Sequence, residues 1–210
     1  MKPTKILLTL AILLVPGLAA AQGYYGGSGP GSYNQPPPSS DGFHYRVGHL
    51  AFGGSIGLGG MHDSGSRITA CANCSYNPIA LELDGHIGGM LSNRFALLGE
   101  FQLNAQTVAS DAYDDTVLSQ TALMIAGQFW LTPQLWLKGG IGFAHLEAGD
   151  SYVVQDIGNG AALMAGIGFE VMSARNFAVD LQGRIIRGEY HGFLEDNVTS
   201  GTVGLGINWY

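Results

Sequence analysis

Charge is scarce in this sequence. Of its 210 residues only 12% are Asp, Glu, Lys or Arg, about half the share of an ordinary soluble domain, so a water-facing surface of the usual kind cannot be assembled from it. Long apolar runs are missing too. Although 46% of the chain is hydrophobic and its mean hydropathy is +0.17, no stretch of roughly 18 apolar residues follows the N-terminus, which excludes an α-helical membrane protein. Cysteine is limited to Cys71 and Cys74, so no second CxxC completes a zinc site. Basic residues are outnumbered 9 to 16, which argues against a nucleic-acid partner. Length allows one domain, or one domain with a tail.

What is present begins with an export signal. Lys2 and Lys5 precede an apolar stretch from residue 6 to 15, then Pro16-Gly17, then Ala19-Ala20-Ala21 before Gln22. That order predicts a secretory signal peptide over 1–21. No Cys stands at the junction, so a lipoprotein is not indicated. The remainder keeps 7 basic side chains against 16 acidic, a net of about −9. Residues 22–42, QGYYGGSGPGSYNQPPPSSDG, have almost no aliphatic side chain to offset the entropy of ordering, and read as a disordered Gly/Pro/Tyr-rich arm on the periplasmic side.

From Phe43 onward the pattern has period two, and no segment scores better at the helical period of 3.6. Leu81, Leu83, Gly85, Ile87, Gly89 and Leu91 share one face; Ala80, Glu82, Asp84, His86, Gly88 and Met90 share the other. Phe95, Leu97, Phe101 and Leu103 likewise oppose Ala96, Glu100, Gln102 and Asn104. Comparable runs lie at 135–143, 163–170, 177–185 and 202–209, with less regular ones at about 45–60 and 117–131. Eight strands result. Their connections alternate: tight near 92–93, 132–133 and 174–175, long at about 61–78, 108–116, 147–159 and 188–198. This places all long loops on one rim of an up-and-down meander, and both chain ends on the other.

The polar face decides which side is outside. In a soluble, lipocalin-like barrel it would face water and carry many Lys, Glu and Thr residues. Here it is mostly Gly, Ala, Ser and Gln with a few charges, residues that suit a narrow interior. The Leu, Ile and Phe face then meets lipid, with Phe95, Phe129, Phe177 and Trp209 near strand ends where aromatic girdles form. An even number of antiparallel strands in an exported chain completes the pattern of a bacterial outer-membrane barrel.

Residues 43–210, with the terminal Gly-Leu-Gly-Ile-Asn-Trp-Tyr, resemble the small eight-stranded outer-membrane β-barrels of the OmpA, OmpX and OmpW type. The resemblance implies an outer-membrane location in a Gram-negative envelope, contact with outer-membrane lipid and lipopolysaccharide, and recognition of the aromatic-ended last strand, Trp209 and Tyr210, by the barrel assembly machinery. One departure stands out. Val203, Leu205, Ile207 and Trp209 form the apolar face, and Tyr210 falls out of phase with them.

Charges at membrane depth must point inward and find partners, because a lipid-facing Lys or Arg at the midplane costs about 2–4 kcal/mol. Glu82, Asp84, Glu100, Lys138, Glu170, Asp180 and Arg184, with His86, therefore form a predicted lumen charge network. Counting residues up from the tight turns places Lys138 near Glu170 and Asp180, and Arg184 at the depth of Asp84 and Glu100. The network reads either as a structural plug or as the lining of a narrow conduit. Cys71 and Cys74, in the first long loop of an exported protein, read as a local disulfide. His62-Asp63-Ser64 invites comparison with outer-membrane lipid A deacylases, but Gly59-Gly60 and Gly65-Ser66 around it read as a flexible loop. Asp111, Asp114, Asp115, Asp150, Asp156, Glu195 and Asp196 make the long loops acidic, through solvation or through divalent-cation contact with lipopolysaccharide. No EF-hand spacing occurs among them. His44, His49, His145 and His191 define no cluster.

The reading is an eight-stranded antiparallel up-and-down transmembrane β-barrel without cofactor or metal. It is not read as an enzyme, and its role is structural or surface-interacting. A narrow porin-like channel and a lipid A modifying enzyme are the alternatives.

Overall fold

The computed structural model describes residues 43, 46–63, 66–68, 78–108, 116–149, 154–174, 176–192 and 197–210. Among these, every regular element is a strand: β1 (Leu50–Asp63), β2 (Ser66–Arg67), β3 (Ala80–Ser92), β4 (Phe95–Val108), β5 (Thr116–Trp130), β6 (Leu135–Gly149), β7 (Val154–Ser173), β8 (Phe177–Gly192) and β9 (Asn197–Trp209). The two-residue β2 folds back on the end of β1, with His62 opposite Arg67. The other eight pair antiparallel in chain order, and β1 pairs with β9 as well as β3, Phe52 opposite Trp209 and Asp63 opposite Val198. These eight strands close into a barrel in which each is paired on both sides.

Alternation carries through to burial. Phe143 is 79% exposed and Ile141 67%, while Lys138 between the outward Leu137 and Gly139 is 4% exposed. An apolar exterior of this extent, wrapped around a polar interior, is the inverse of a soluble barrel. Outward charged side chains on β6 to β8 gather at one end: His145 and Glu147 on β6, Asp156 on β7, Arg187, Glu189 and His191 on β8. Below them, outward positions in residues 135–143 of β6 and 177–185 of β8 are Leu, Ile, Phe, Val or Gly, about the 9–11 residues a tilted strand needs to cross the hydrocarbon. At the opposite end Trp209 stacks on Phe52 (centroids 5.4 Å, interplanar angle 8°) and touches Phe177 at 5.5 Å, an aromatic rim beside the tight turns.

Those turns lie where the spacing placed them. Asn93 and Arg94 join β3 to β4. Between β5 and β6, Leu131 N–H donates to the Leu135 carbonyl at 2.8 Å, and Thr132 Oγ1 accepts from Leu135 N–H at 3.0 Å. Ala174 N–H donates to the carbonyl of Phe177, the first residue of β8, at 2.7 Å.

The other rim differs from the sequence reading. Strands rise further than expected, β1 to Asp63, β6 to Gly149 and β8 to Gly192, while β7 begins at Val154 and β9 at Asn197. Much of the expected loops at 147–159 and 188–198 is therefore strand. His62 and Asp63, expected in a flexible loop, sit in the β1–β2 hairpin end. At the base the difference is reversed. The first strand starts at Leu50, not 45, because a turn over Arg46 to His49 precedes it, with His49 N–H on the Arg46 carbonyl (3.0 Å) and Gly48 at φ +77°. The expected signal peptide (1–21) and arm (22–42), and His44, Ser64, Cys71, Cys74, Asp111, Asp114, Asp115, Asp150, Glu195 and Asp196, lie outside the described residues.

Candidate functional site

The interior of the barrel is built from every second residue of each strand, and its polar side chains lie in three levels. In the middle, Arg184 of β8 crosses to the strands opposite. Its Nη1 lies 3.0 Å from Glu82 Oε1, 3.0 Å from Asp84 Oδ2 and 3.2 Å from Glu100 Oε1, and Nη2 donates to Gln182 Oε1 at 3.1 Å. Lys138 Nζ lies 3.1 Å from the other Glu100 oxygen. His86 Nδ1 stands 3.3 Å from Asp84 Oδ1, Ser55 Oγ donates to the same oxygen at 3.4 Å, and Thr202 Oγ1 donates to Glu82. Three carboxylates thus face two permanent cations, each carboxylate held by at least one of them. Removed from water, such charges are tolerable only when paired in this way.

Near the tight turns lies a second level. Glu170 on β7 accepts from Trp130 Nε1 at 2.8 Å, from Ser173 Oγ at 2.7 Å and from the Tyr210 hydroxyl at 3.3 Å. Its cation is Arg46, whose Nη1 lies 3.4 Å away. Asp180 accepts from Asn208 Nδ2. Trp136, 1% exposed, packs its indole across Gly168, its cross-strand partner on β7; a Cβ there would overlap the ring. Toward the long-loop end the lining turns to amides. Asn104 donates to Ser200 (3.2 Å), Gln120 to the Tyr190 hydroxyl (2.6 Å), and Gln106 accepts from Met61 N–H (2.8 Å) while donating to the Ile68 carbonyl (3.0 Å). Tyr190 has room because the neighbouring inward residue is Gly188, over which its hydroxyl end lies.

The eight charged or histidine side chains expected in the lumen point into the barrel interior, but Lys138 makes its ion pair elsewhere than the acids it was placed near. The ion pair of Lys138 is with Glu100, two strands away, not with Glu170 or Asp180 on the following strands. Arg184 does hold Asp84 and Glu100, and adds Glu82. Tyr210 explains its own phase: one residue beyond outward Trp209, it turns into the lumen, 4% exposed, with its ring edge-on to Trp130 at 5.8 Å. Arg46 is the lumen residue that sequence reasoning missed. The signal was an imbalance, five predicted lumen carboxylates against only Lys138 and Arg184. The geometry offers an ion-paired core in which Arg184, Lys138 and Arg46 hold four of the five carboxylates.

Comparison with known proteins agrees at the level of fold. No protein-family model matches the chain, and no curated protein matches its sequence. Among solved structures, Ail, the attachment invasion locus protein of Yersinia pestis, in complex with the heparin analogue sucrose octasulfate, superposes with a TM-score of 0.54 at 16% identity, over 77% of this chain and 99% of that one. A second Ail structure gives 0.52 at 15% identity with the same coverage. Neisserial surface protein A gives 0.48 at 12%, over 76% of this chain and 95% of that one. With its closed eight-strand meander, apolar exterior and ionic lumen, the chain has the fold of the small eight-stranded bacterial outer-membrane β-barrels.

Proposed function

We propose that this chain is an integral outer-membrane barrel with a structural or surface-interaction role, its lumen a filled polar core. One observation carries the reading. A single Arg184 nitrogen sits within 3.2 Å of carboxylates from two other strands, and the levels around it are filled by Trp130, Trp136, Met61, Met164 and Ile186, each under 2% exposed. An eight-stranded barrel is barely wider than its own side chains, so a core packed in this way leaves water no continuous path.

The surface role belongs to the long-loop end. Ail carries a sulfated polyanion in its structure; this chain is built for a different ligand. Its long-loop end presents Glu147, Asp156 and Glu189 against Arg187, and its loop sequences add Asp111, Asp114, Asp115, Asp150, Glu195 and Asp196. Such a rim repels a heparin-like polymer and favours a cationic surface, or lipopolysaccharide phosphates bridged by divalent cations. Trp209, which ends the last strand, and Tyr210 after it supply the signal that the barrel assembly machinery reads.

Planar-bilayer recording on purified protein whose gel mobility shifts on boiling tests this reading. It predicts no discrete openings. Resolved single-channel steps would replace it with the narrow porin-like channel.

A further inference from the structure

Glu170 is held by donors that do not depend on the chain ahead of β1. Trp130, Ser173 and Tyr210 all donate to it, and all belong to the barrel strands or to the residue that ends them. The Trp130 and Tyr210 rings stand edge to face at 74° and leave a slot beside the carboxylate. Arg46 fills that slot. Its Cζ lies 3.7 Å from the Tyr210 ring centroid and 5.7 Å from that of Trp130, with Nη1 and Nη2 at 3.4 and 3.5 Å from the two Glu170 oxygens. A planar cation stacked on an aromatic face and approaching a carboxylate with two prongs is guanidinium recognition; an ammonium supplies the charge without the plane.

The segment bearing Arg46 is not part of the β ladder. Its contacts with the barrel include Arg46 N–H to Asn93 Oδ1 at 3.2 Å, Gly48 N–H to the Met90 carbonyl at 2.9 Å, Met90 N–H to the His49 carbonyl at 3.0 Å, and the Arg94 guanidinium 4.1 Å from the Phe43 ring. Yet Arg46 and Phe43 are 3% and 8% exposed, so the segment packs under the barrel floor. Arg46 precedes β1 and Tyr210 follows β9, the two strands whose pairing closes the sheet.

We propose that Glu170, Trp130 and Tyr210 form a guanidinium-binding pocket in the tight-turn mouth of the barrel, that Arg46 is its tethered occupant, and that this docking stoppers the mouth and latches the segment before β1 to the residue after β9. The latch operates whether or not the lumen conducts. It also gives the inward phase of Tyr210 a purpose, since an outward ring would leave Arg46 without its stacking partner.

The test uses the mature chain with Trp209→Phe, so that its remaining tryptophans are Trp130 and Trp136. Adding Arg46→Ala should increase acrylamide quenching of their emission and lower the midpoint of heat-modifiable migration by roughly 10 °C. Millimolar methylguanidinium should reverse both changes, and methylammonium should not. Arg46→Lys, which retains the charge if the Ala variant assembles poorly, should fall between Ala and wild type. An Ala variant with wild-type quenching and midpoint would overturn the proposal. Equal rescue by the two cations, or a Lys variant matching wild type, would overturn it as well.

Discussion

Lys138 Nζ lies 3.1 Å from Glu100 Oε2, reaching past the whole of β5 instead of meeting the acids of β7 and β8. The pair skips one strand and shares Glu100 with Arg184, which reaches it from β8, so two cations act on one carboxylate. Lys138→Met should lower stability by about 3 kcal/mol, the lower end for a broken buried pair, because Arg184 still holds Glu100. Lys138→Arg should cost less. Urea unfolding in detergent micelles, followed by gel mobility, measures both.

Arg184→Met should be the more damaging change. It removes the cation common to Glu82, Asp84 and Glu100, and the expected loss is about 5 kcal/mol or failure to assemble. Replacing Glu82 with Gln in the same chain should recover part of that loss. No recovery would mean that the cluster packs by shape and not by charge.

Faces were legible in the sequence and pairings only in part, Arg184 with Asp84 and Glu100 but not Lys138 with Glu100, for a physical reason. Alternation fixes the side a residue points to, because a strand has period two, and it needs no knowledge of neighbours. Which lumen charges meet depends on strand tilt and shear, which stagger each strand against the next. Counting up from the turns therefore placed Lys138 beside Glu170 and Asp180, whereas in the closed barrel its ion pair is with Glu100. Strand length was hidden for another reason. Above the lipid, outward positions such as Glu147, Asp156, Arg187 and Glu189 face water, so the apolar contrast fades while the hydrogen-bonded ladder continues. Arg46 escaped because it precedes the first strand in a turn, where no periodicity marks a face.

Two glycines give a packing test. Gly168→Ala would drive a methyl group into the Trp136 indole, while at Gly166 the same methyl group meets nothing nearer than 3.5 Å. Gly168→Ala should therefore cost about 1–3 kcal/mol, and Gly166→Ala no more than about 0.5 kcal/mol. Equal costs would show that interior crowding is not what selects glycine here.

Topology makes a separate prediction. The start of β1 and the end of β9 share one rim with the tight turns, the side on which an assembly signal belongs. Protease added to intact cells should cut within 64–79 or 150–153 and spare 93–94 and 131–134. Cleavage confined to the turns would invert the orientation.

The central claim is that the apolar face meets lipid and the charged face lines the lumen. A nitroxide scan along residues 135–143 in reconstituted bilayers tests it most directly. Membrane-dissolved oxygen should reach labels at 135, 137, 139, 141 and 143 and be shielded from labels at 136, 138, 140 and 142. Oxygen access at 138 with protection at 137 and 139 would contradict the account, and the lumen network and the membrane placement would fall together.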